Sequence, residues 1–486
     1  MTTTSINIAG LDVGPVTLTS EQLDDMDSKV AGRLLRAGDD GWDDALLVWN
    51  GMTARLPALV LQPTSAHDVA TAVAFAGDHG LLLSVKGGGH NIAGTSIAEG
   101  GLMLDMSRMR EVTVDPGAKL AHVGPGCLLK EVDQATQGHG LATMLGFISE
   151  VGVAGLTLGG GLGYLTRRFG WTVDNLEEVE IVTADSRIRR ASREENPELF
   201  WGIRGGGANL GVVTRFTFRL HQLGPTVYGG LIAWPFERAD EVMAAYRTIT
   251  TQAPRGAGGV AGSAAGPGGA IRARGVAWPA DLRHGRLLQR RPRRRRRGAG
   301  ADPGAGRPGR GSAGPPAVYR GPVLPRRRRA QGPALLLEDR VPRRAERRAA
   351  VDHAGAVRLL PPPGRRAGLP APRRRLNDRD GDDGAVGNRD ARFVLGINGM
   401  WAADEPEADS FRQWIRDAWE RVRPYSTGGT YINFQTADED QERIRATYGA
   451  NFDRLVEVKQ RYDPGNLFRA NRNIRPHAAS ERRPGS

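Results

Sequence analysis

From residue 56 onward the apolar positions recur at spacings that predict their elements. Val69, Val73 and Ala76 share one face of a helix predicted over 66–78. Thr64 or Ser65 caps it, Asp68 sits near its positive end, and Gly80 follows its last turn. The continuous run LLLSV (81–85) reads as a buried strand. Short strands are predicted at 102–106, 111–115 and 119–123, and a helix over 128–137. Residues 176–192 read as two strands joined at Ala184–Ser186, 196–203 as a short helix, and 212–220 as a half-buried strand. Before residue 50, Trp42 and Trp49, with Met52 just beyond, predict a helical segment packed on the main body.

Near 256 the periodicity stops, and it returns at about 384–392. Beyond that point RFVLGINGMW (392–401) and GTYINFQ (429–435) read as strands. Phe411, Trp414, Ile415, Ala418, Trp419 and Val422 mark an amphipathic helix, and 444–460 is predicted as a second helix. Strands and helices mix without βαβ regularity, which places the chain in the α+β class.

Length and composition narrow the field. At 486 residues the chain can bury sizeable cores and divide into two or three domains. It has no apolar run of the ~18 residues that a membrane helix needs. Its first residues, MTTTSINIAGLDVGP, have neither a basic nor an apolar signal region. The lone Cys127 rules out an internal disulfide and a Cys-rich metal site, so no metal is expected and a cytoplasmic location is.

The net charge of +13 suggests a nucleic-acid partner until its distribution is examined. Residues 261–380 hold 30 Arg, no Lys, and 8 Asp or Glu, which leaves 37 basic against 46 acidic residues elsewhere. The same block has 16 of the 30 Pro and 18 Gly, with no Thr, Phe or Met. By composition it cannot bury enough apolar area to fold. One reading is a basic linker that binds nucleic acid or membranes. The preferred one is out-of-frame translation of a GC-rich gene, because Arg, Pro, Gly and Ala have the most GC-rich codons. Its edges would fall near 256–260 and 381–386. Outside the block the protein is mildly acidic, and neither nucleic acid nor membrane is expected as a partner.

Glycine density marks the candidate chemistry. Two segments stand out, KGGGHN (86–91) and GVAGLTLGGGLGYL (152–165). Such density implies turns with positive φ or close approach to something bulky. Backbone N–H groups freed by such turns suit phosphate oxygens. The two segments are therefore expected to enclose a diphosphate-containing cofactor. A nicotinamide-type site is disfavoured, since neither Gly159–Tyr164 nor Gly205–Leu210 satisfies G-x-G-x-x-G. His90, directly after three glycines, reads by itself as a surface hydrogen-bonding group.

The order of segments resembles the FAD-linked oxidases of the berberine-bridge type, within the vanillyl-alcohol-oxidase and p-cresol-methylhydroxylase superfamily. The resemblance runs through WNGM (49–52), VKGGGHNIAG (85–94), LMLDMSRMR (102–110) and GVAGLTLGGGLGYLTRRFG (152–170). It continues through DNL (174–176), LFWGIRGGGANLGVVT (199–214), YIN (431–433) and RYDPGNLFRANRNI (461–474). It implies a two-part FAD-binding domain over 51–225, rejoined by 431–476, and an α+β substrate domain with antiparallel sheet over 226–430. Of that domain, 257–383 would be out of frame, and 477–486 would be a tail.

The resemblance also implies site residues. His90 would carry the flavin on its 8α-methyl as a single covalent link, because Ile148 stands where some members have a second, cysteine attachment. Cofactor contacts would come from Lys86, Gly87, Gly88, Gly89 and Asn91 in the first segment. Gly152, Gly155, Thr157, Gly160 and Gly163 would supply them in the second. Asn175, Gly211, Val213, Asn471 and Asn473 complete the set. Tyr431 and Asn433, two apart on a predicted strand, would face the flavin from one side. Tyr431 would act as base or substrate partner if its pKa is lowered. The alternative for this pair is a buried structural contact. The activity implied is hydride transfer from a small alcohol, amine or sugar-like substrate to FAD, with O2 as electron acceptor. The alternatives are an Arg-rich nucleic-acid-binding protein and an inactive product of a frameshifted gene.

Overall fold

In the computed structural model the described residues are 5–12, 14–229, 232–254, 257, 270–273, 278–279, 334–336, 381, 383–401, 405–437 and 439–477. All belong to one unit, residues 1–280 with 332–486. Most of the Arg-rich block lies outside the described residues, and with it the reading of that block as out of frame. Two of its described stretches pair antiparallel with the rest: Ala270–Ala273 with Ile232–Pro235, and Ala334–Leu336 with Gly399–Trp401. These short apolar runs are sites where the block can meet a strand edge, which composition averaged over the block concealed.

The chain opens with a hairpin of β1 (Ile6–Ala9) and β2 (Pro15–Leu18), then α1 (Ser20–Ser28), β3 (Arg33–Leu35) and the single-turn α2 (Trp42–Ala45). The helical segment expected over 1–50 is thus a mixture of strands and helices. Its β3 is too short to leave a pattern in sequence, and it is held by pairing with a distant strand.

That strand is β4 (Leu59–Gln62), followed by α3 (Ala66–Asp78), β5 (Leu83–Lys86) and β6 (Leu102–Asp105). The sheet order is β3-β4-β6-β5, with β6 parallel to both its neighbours. One βαβ unit is therefore present within an arrangement that otherwise lacks βαβ regularity. Helix α3 has the predicted bounds, and Ser65 Oγ accepts from the Asp68 backbone N–H at 3.1 Å. Its buried Val69, Ala72, Val73 and Ala76 pack with Leu59, Leu61, Leu102 and Leu104, and also with Val182 and Val212.

The second layer follows: β7 (Val112–Asp115), β8 (Leu120–Val123), α4 (Leu129–Gln137), β9 (Leu141–Ala142), α5 (Val153–Leu158) and α6 (Thr166–Phe169). Then come β10 (Leu176–Val182), β11 (Ile188–Ser192), α7 (Pro197–Ile203) and β12 (Val212–Arg219). The antiparallel order is β11-β10-β12-β8-β7. Strand β12 lies inside this sheet and exposes only Arg215 and Arg219, so it is buried on both faces rather than half-buried.

Past 383 three expectations are corrected. The strand predicted over 392–401 is confined to Gly399–Trp401. The predicted helix over 444–460 is two helices, Gln441–Tyr448 and Phe452–Tyr462, separated at Gly449 with φ +56°. Left-handed backbone is where glycine ends a helix. Third, 429–435 is not a strand: Ile432–Phe434 forms a 3-10 turn. The amphipathic helix is Ala408–Val422, with Phe411, Ile415, Ala418 and Val422 buried.

The C-terminal segment returns to the first domain as expected. Leu455, Val456, Val458 and Tyr462 join Leu199, Phe200, Trp201 and Ile203 of α7 in the largest core. The Lys459 ammonium, fully buried, donates to the carbonyls of Asn209 (2.8 Å) and Phe468 (3.0 Å) and pairs with Asp463. Asp463 in turn accepts from the backbone N–H groups of Leu467 and Phe468. A buried charge pair is tolerable when the remaining hydrogen-bonding positions are filled, as they are here.

Candidate active site

The first glycine segment ends strand β5. Gly89, with φ +71°, turns the chain immediately before His90. The turn is clasped from outside by residues 49–52. Gly89 O accepts from the Trp49 backbone N–H (3.0 Å), and the Asn50 side chain donates to Ile92 O (2.6 Å). The Trp49 ring stacks on the His90 imidazole, centroids 5.1 Å apart and 21° between planes. Trp49 is therefore a loop residue of the site and not part of a helix. Burial lowers the His90 pKa, opposed by the nearby Glu150 carboxylate, and so favours the neutral ring.

Gly88 and Gly152 meet backbone to backbone. A Cβ on either would overlap main-chain atoms of the other. The density of glycine at this junction is thus required by contact between the two segments themselves. Gly87 makes only ordinary van der Waals contacts, and Gly155 on α5 has open space where its Cβ would be.

The run 159–161 is different again. A Cβ on Gly159 would overlap the Asn433 amide, one on Gly160 (φ +111°) the Trp171 ring, and one on Gly161 (φ +83°) the Thr172 side chain. Here the glycines make room for protein side chains. Gly163 lies against Leu145 O, and its N–H donates to Thr166 Oγ1 at 2.8 Å.

Tyr431 and Asn433 are brought together on this surface, although not by a strand. Tyr431 Oη accepts from Gly161 N–H (3.0 Å) and from Asn433 Nδ2 (2.9 Å), while Asn433 Nδ2 also donates to Leu156 O (3.1 Å). The aromatic rings of Trp171 and Phe434 pack edge-on to Tyr431. Burial pushes the phenol up to about 12, partly opposed by the Asn433, Gly161 and Leu162 donors. The condition set for Tyr431 as a base, a lowered pKa, is opposed here, because desolvation outweighs three hydrogen bonds. Tyr431, Leu162, Trp171 and Ile92 border a cavity of about 1530 Å³.

Several expected cofactor residues also make contacts within the protein. Lys86 is buried and pairs with Asp105 at 3.4 Å. Asn91 Oδ1 accepts from Thr95 N–H, bracing the loop after His90. Asn175 donates to Phe169 O and Trp171 O and meets His221 at 2.6 Å. Gly211 lies against Val182 O, and the Val213 side chain is in the core of the five-stranded sheet. Sequence gave no sign of these uses, because each partner lies far along the chain or follows from a turn.

Other expected residues retain unfilled valences. The Thr157 hydroxyl and the Oδ1 atoms of Asn471 and Asn473 are buried with no hydrogen-bond partner among the described residues. Asn471 Nδ2 is anchored to Ala208 O and Phe468 O. Buried polar atoms are ordinarily paired. Together with the open space over Gly155, these atoms fit a polar group such as FAD. Two residues not singled out from sequence also shape the site. Asp174, a buried carboxylate, holds Arg389 through two contacts (2.9 and 3.2 Å) and accepts from Trp171 N–H (2.9 Å). That pair ties residue 389 to the wall that carries Trp171.

The fold is that of an FAD-binding domain completed by a C-terminal segment. Residues 57–192 match the family described as FAD binding domain, and 430–475 match Berberine and berberine like. The chain thus matches, in order, an FAD-binding domain and a berberine-like C-terminal segment. It is similar to (R)-6-hydroxynicotine oxidase of Paenarthrobacter nicotinovorans, 36% identical over 205 residues, 42% of this chain and 45% of that protein. It is 35% identical over 227 residues to the FAD-linked oxidoreductase pgmH of Aspergillus terreus, 46% of each. These matches span less than half the length of the relatives. The crystal structure of 6-hydroxy-D-nicotine oxidase from Arthrobacter nicotinovorans shares the fold, with TM-score 0.68, 24% identity, and coverage of 92% of this chain and 98% of that one. A Phl p 4 variant described as a glucose oxidase also shares it, with TM-score 0.71 at 19% identity, covering 94% of this chain and all of the other.

Proposed function

We propose that this protein is an FAD-dependent oxidase acting on a small organic substrate, with the flavin attached through one covalent bond to His90. The observation that carries the reading is the junction of the two glycine segments, where Trp49 stacks on His90 and burial favours its neutral ring. FAD, when bound, would accept a hydride and pass the electrons to O2. The protein's share is to orient and to handle protons. Trp49 fixes the imidazole plane, and a neutral ring leaves a nitrogen lone pair for attachment. Thr157, Asn471 and Asn473 would hold the cofactor's polar atoms. Tyr431, which borders the cavity, would be the substrate's hydrogen-bond partner and, once ionised, the group that receives its proton.

An alcohol, amine or sugar-like substrate is supported by relatives and structural neighbours named as oxidases of 6-hydroxynicotine, chitooligosaccharides and glucose. A cytoplasmic location is part of the same proposal. Among the described residues no helix is long and apolar enough to cross a membrane. The test is a visible spectrum of purified protein, before and after acid precipitation. The expected result is yellow colour that stays with the precipitate and is lost from it in His90→Ala. Colour released by acid from the unaltered protein would refute the covalent link, and colourless protein after supplying FAD would refute the function.

A further inference from the structure

We infer that the Gly159–Leu162 backbone and the Asn433 amide form a preformed nest for the Tyr431 phenolate, so that this glycine run serves a proton acceptor in the protein and not a cofactor phosphate. The inference rests on the reading of Tyr431 as the group that receives the substrate proton.

The hydrogen bonds decide the matter by elimination. Asn433 Nδ2 lies 3.1 Å from Leu156 O, which can only accept. The amide is therefore oriented with its nitrogen inward, and its second N–H points at Tyr431 Oη, 2.9 Å away. Gly161 N–H, at 3.0 Å, can only donate to the same oxygen, and the Leu162 N–H adds to it. In each of these contacts Tyr431 Oη accepts, and among the described residues no acceptor takes its own proton. A phenolate oxygen accepts three such bonds readily, whereas a neutral phenol must also place its O–H. Consecutive N–H groups around positive-φ glycines form anion-binding concavities. Gly160 and Gly161 have φ of +111° and +83°, and the anion here is supplied by residue 431.

Burial works in the opposite direction and holds the free protein's phenol protonated at neutral pH. Before it can take a proton from substrate the phenol must release its own to solvent, and the nest would matter in that ionisation. It lowers the cost of exposing the buried oxygen as an anion, and the geometry is fixed before any substrate arrives. Asn433 and Gly159 are then positioning residues. Gly159 leaves the space the Asn433 amide occupies, and a Cβ there would push the amide away from Tyr431.

The test places difluorotyrosine, a more acidic phenol, at position 431 of the full chain and follows its ionisation by fluorine NMR against pH. Asn433→Leu removes one donor, and Gly159→Ala displaces the same amide without touching its chemistry. Each should raise the midpoint by about one unit, a tenfold shift in the ionisation constant, since a hydrogen bond to an ion contributes about 1.5–3 kcal/mol before compensation. An unchanged or lowered midpoint in both variants, with circular dichroism unaltered, overturns the nest. If Asn433→Leu does not fold, Gly159→Ala alone decides. Turnover of Tyr431→Phe addresses the separate question of whether this residue is the base: full activity there would refute that role while leaving the titration result standing.

Discussion

Two glycine contacts, Gly88 with Gly152 and the run 159–161, look alike in sequence and have opposite causes. In 86–91 and at Gly152, backbone meets backbone, with Gly88 and Gly152 each filling the space a Cβ would need. In 159–161 backbone meets side chain, with Asn433, Trp171 and Thr172 seated over consecutive glycines. One junction sets how the halves of the domain approach. The other makes a floor for residues that arrive from the far end of the chain. A run of glycine in sequence reports close approach and leaves the partner unnamed.

The strongest way to break this comparison is Gly152→Ala. Main chain cannot yield as a side chain can, so the substitution should cost about 3 kcal/mol or more and lower the thermal midpoint by many degrees. A loss below about 1 kcal/mol would show that the junction is not tight. Removing one member of the buried Lys459–Asp463 pair should cost about 3–5 kcal/mol in chemical denaturation, because the remaining charge is stranded. Lys459→Met with Asp463→Leu should cost less than either single change. Such a result would separate the C-terminal anchor from the glycine contacts it supports.

Gly159→Ala is expected to be milder, on the order of 1 kcal/mol, since the Asn433 amide can move where a backbone cannot. If it proves as damaging as Gly152→Ala, the distinction between the two segments fails. Gly155→Ala should be near neutral or stabilising by about 0.5–1 kcal/mol without cofactor, because alanine favours the helix and no described atom lies in the way. The same variant should bind FAD more weakly if the open space is cofactor space, which titration of the apoprotein measures.

The smallest effect concerns His90. Its folded pKa is below the ordinary imidazole value, so near and just below that value the unfolded chain binds more protons than the folded one. Stability of the apoprotein should therefore rise with pH through this window and fall as pH drops. His90→Gln should flatten the slope, and an unaltered slope would show that His90 is not the group responsible.

Much of the fold was legible because its elements are local. Helix α3 declared itself through Ser65, Asp68 and a single apolar face, and β10 and β11 through the turn between them. The site was legible in its members more than in its arrangement. Tyr431 and Asn433 do sit together, but a 3-10 turn and the Leu156 carbonyl join them instead of a strand. Trp49 looked like core and became the platform for His90. Lys86, Asn91 and Asn175, expected at the cofactor, have partners within the protein in Asp105, Thr95 and His221 that no local pattern announced.

Sequence alone determined the periodic elements, the two close-approach segments and the break in composition at 261–380, because each depends on neighbours within a few turns of chain. Tertiary structure decided what the glycines approach, which polar side chains are already paired, and how far the Tyr431 phenol is from ionising. Those properties depend on desolvation and on partners up to 277 residues away, as Asn433 is from Leu156, and no local spacing encodes them.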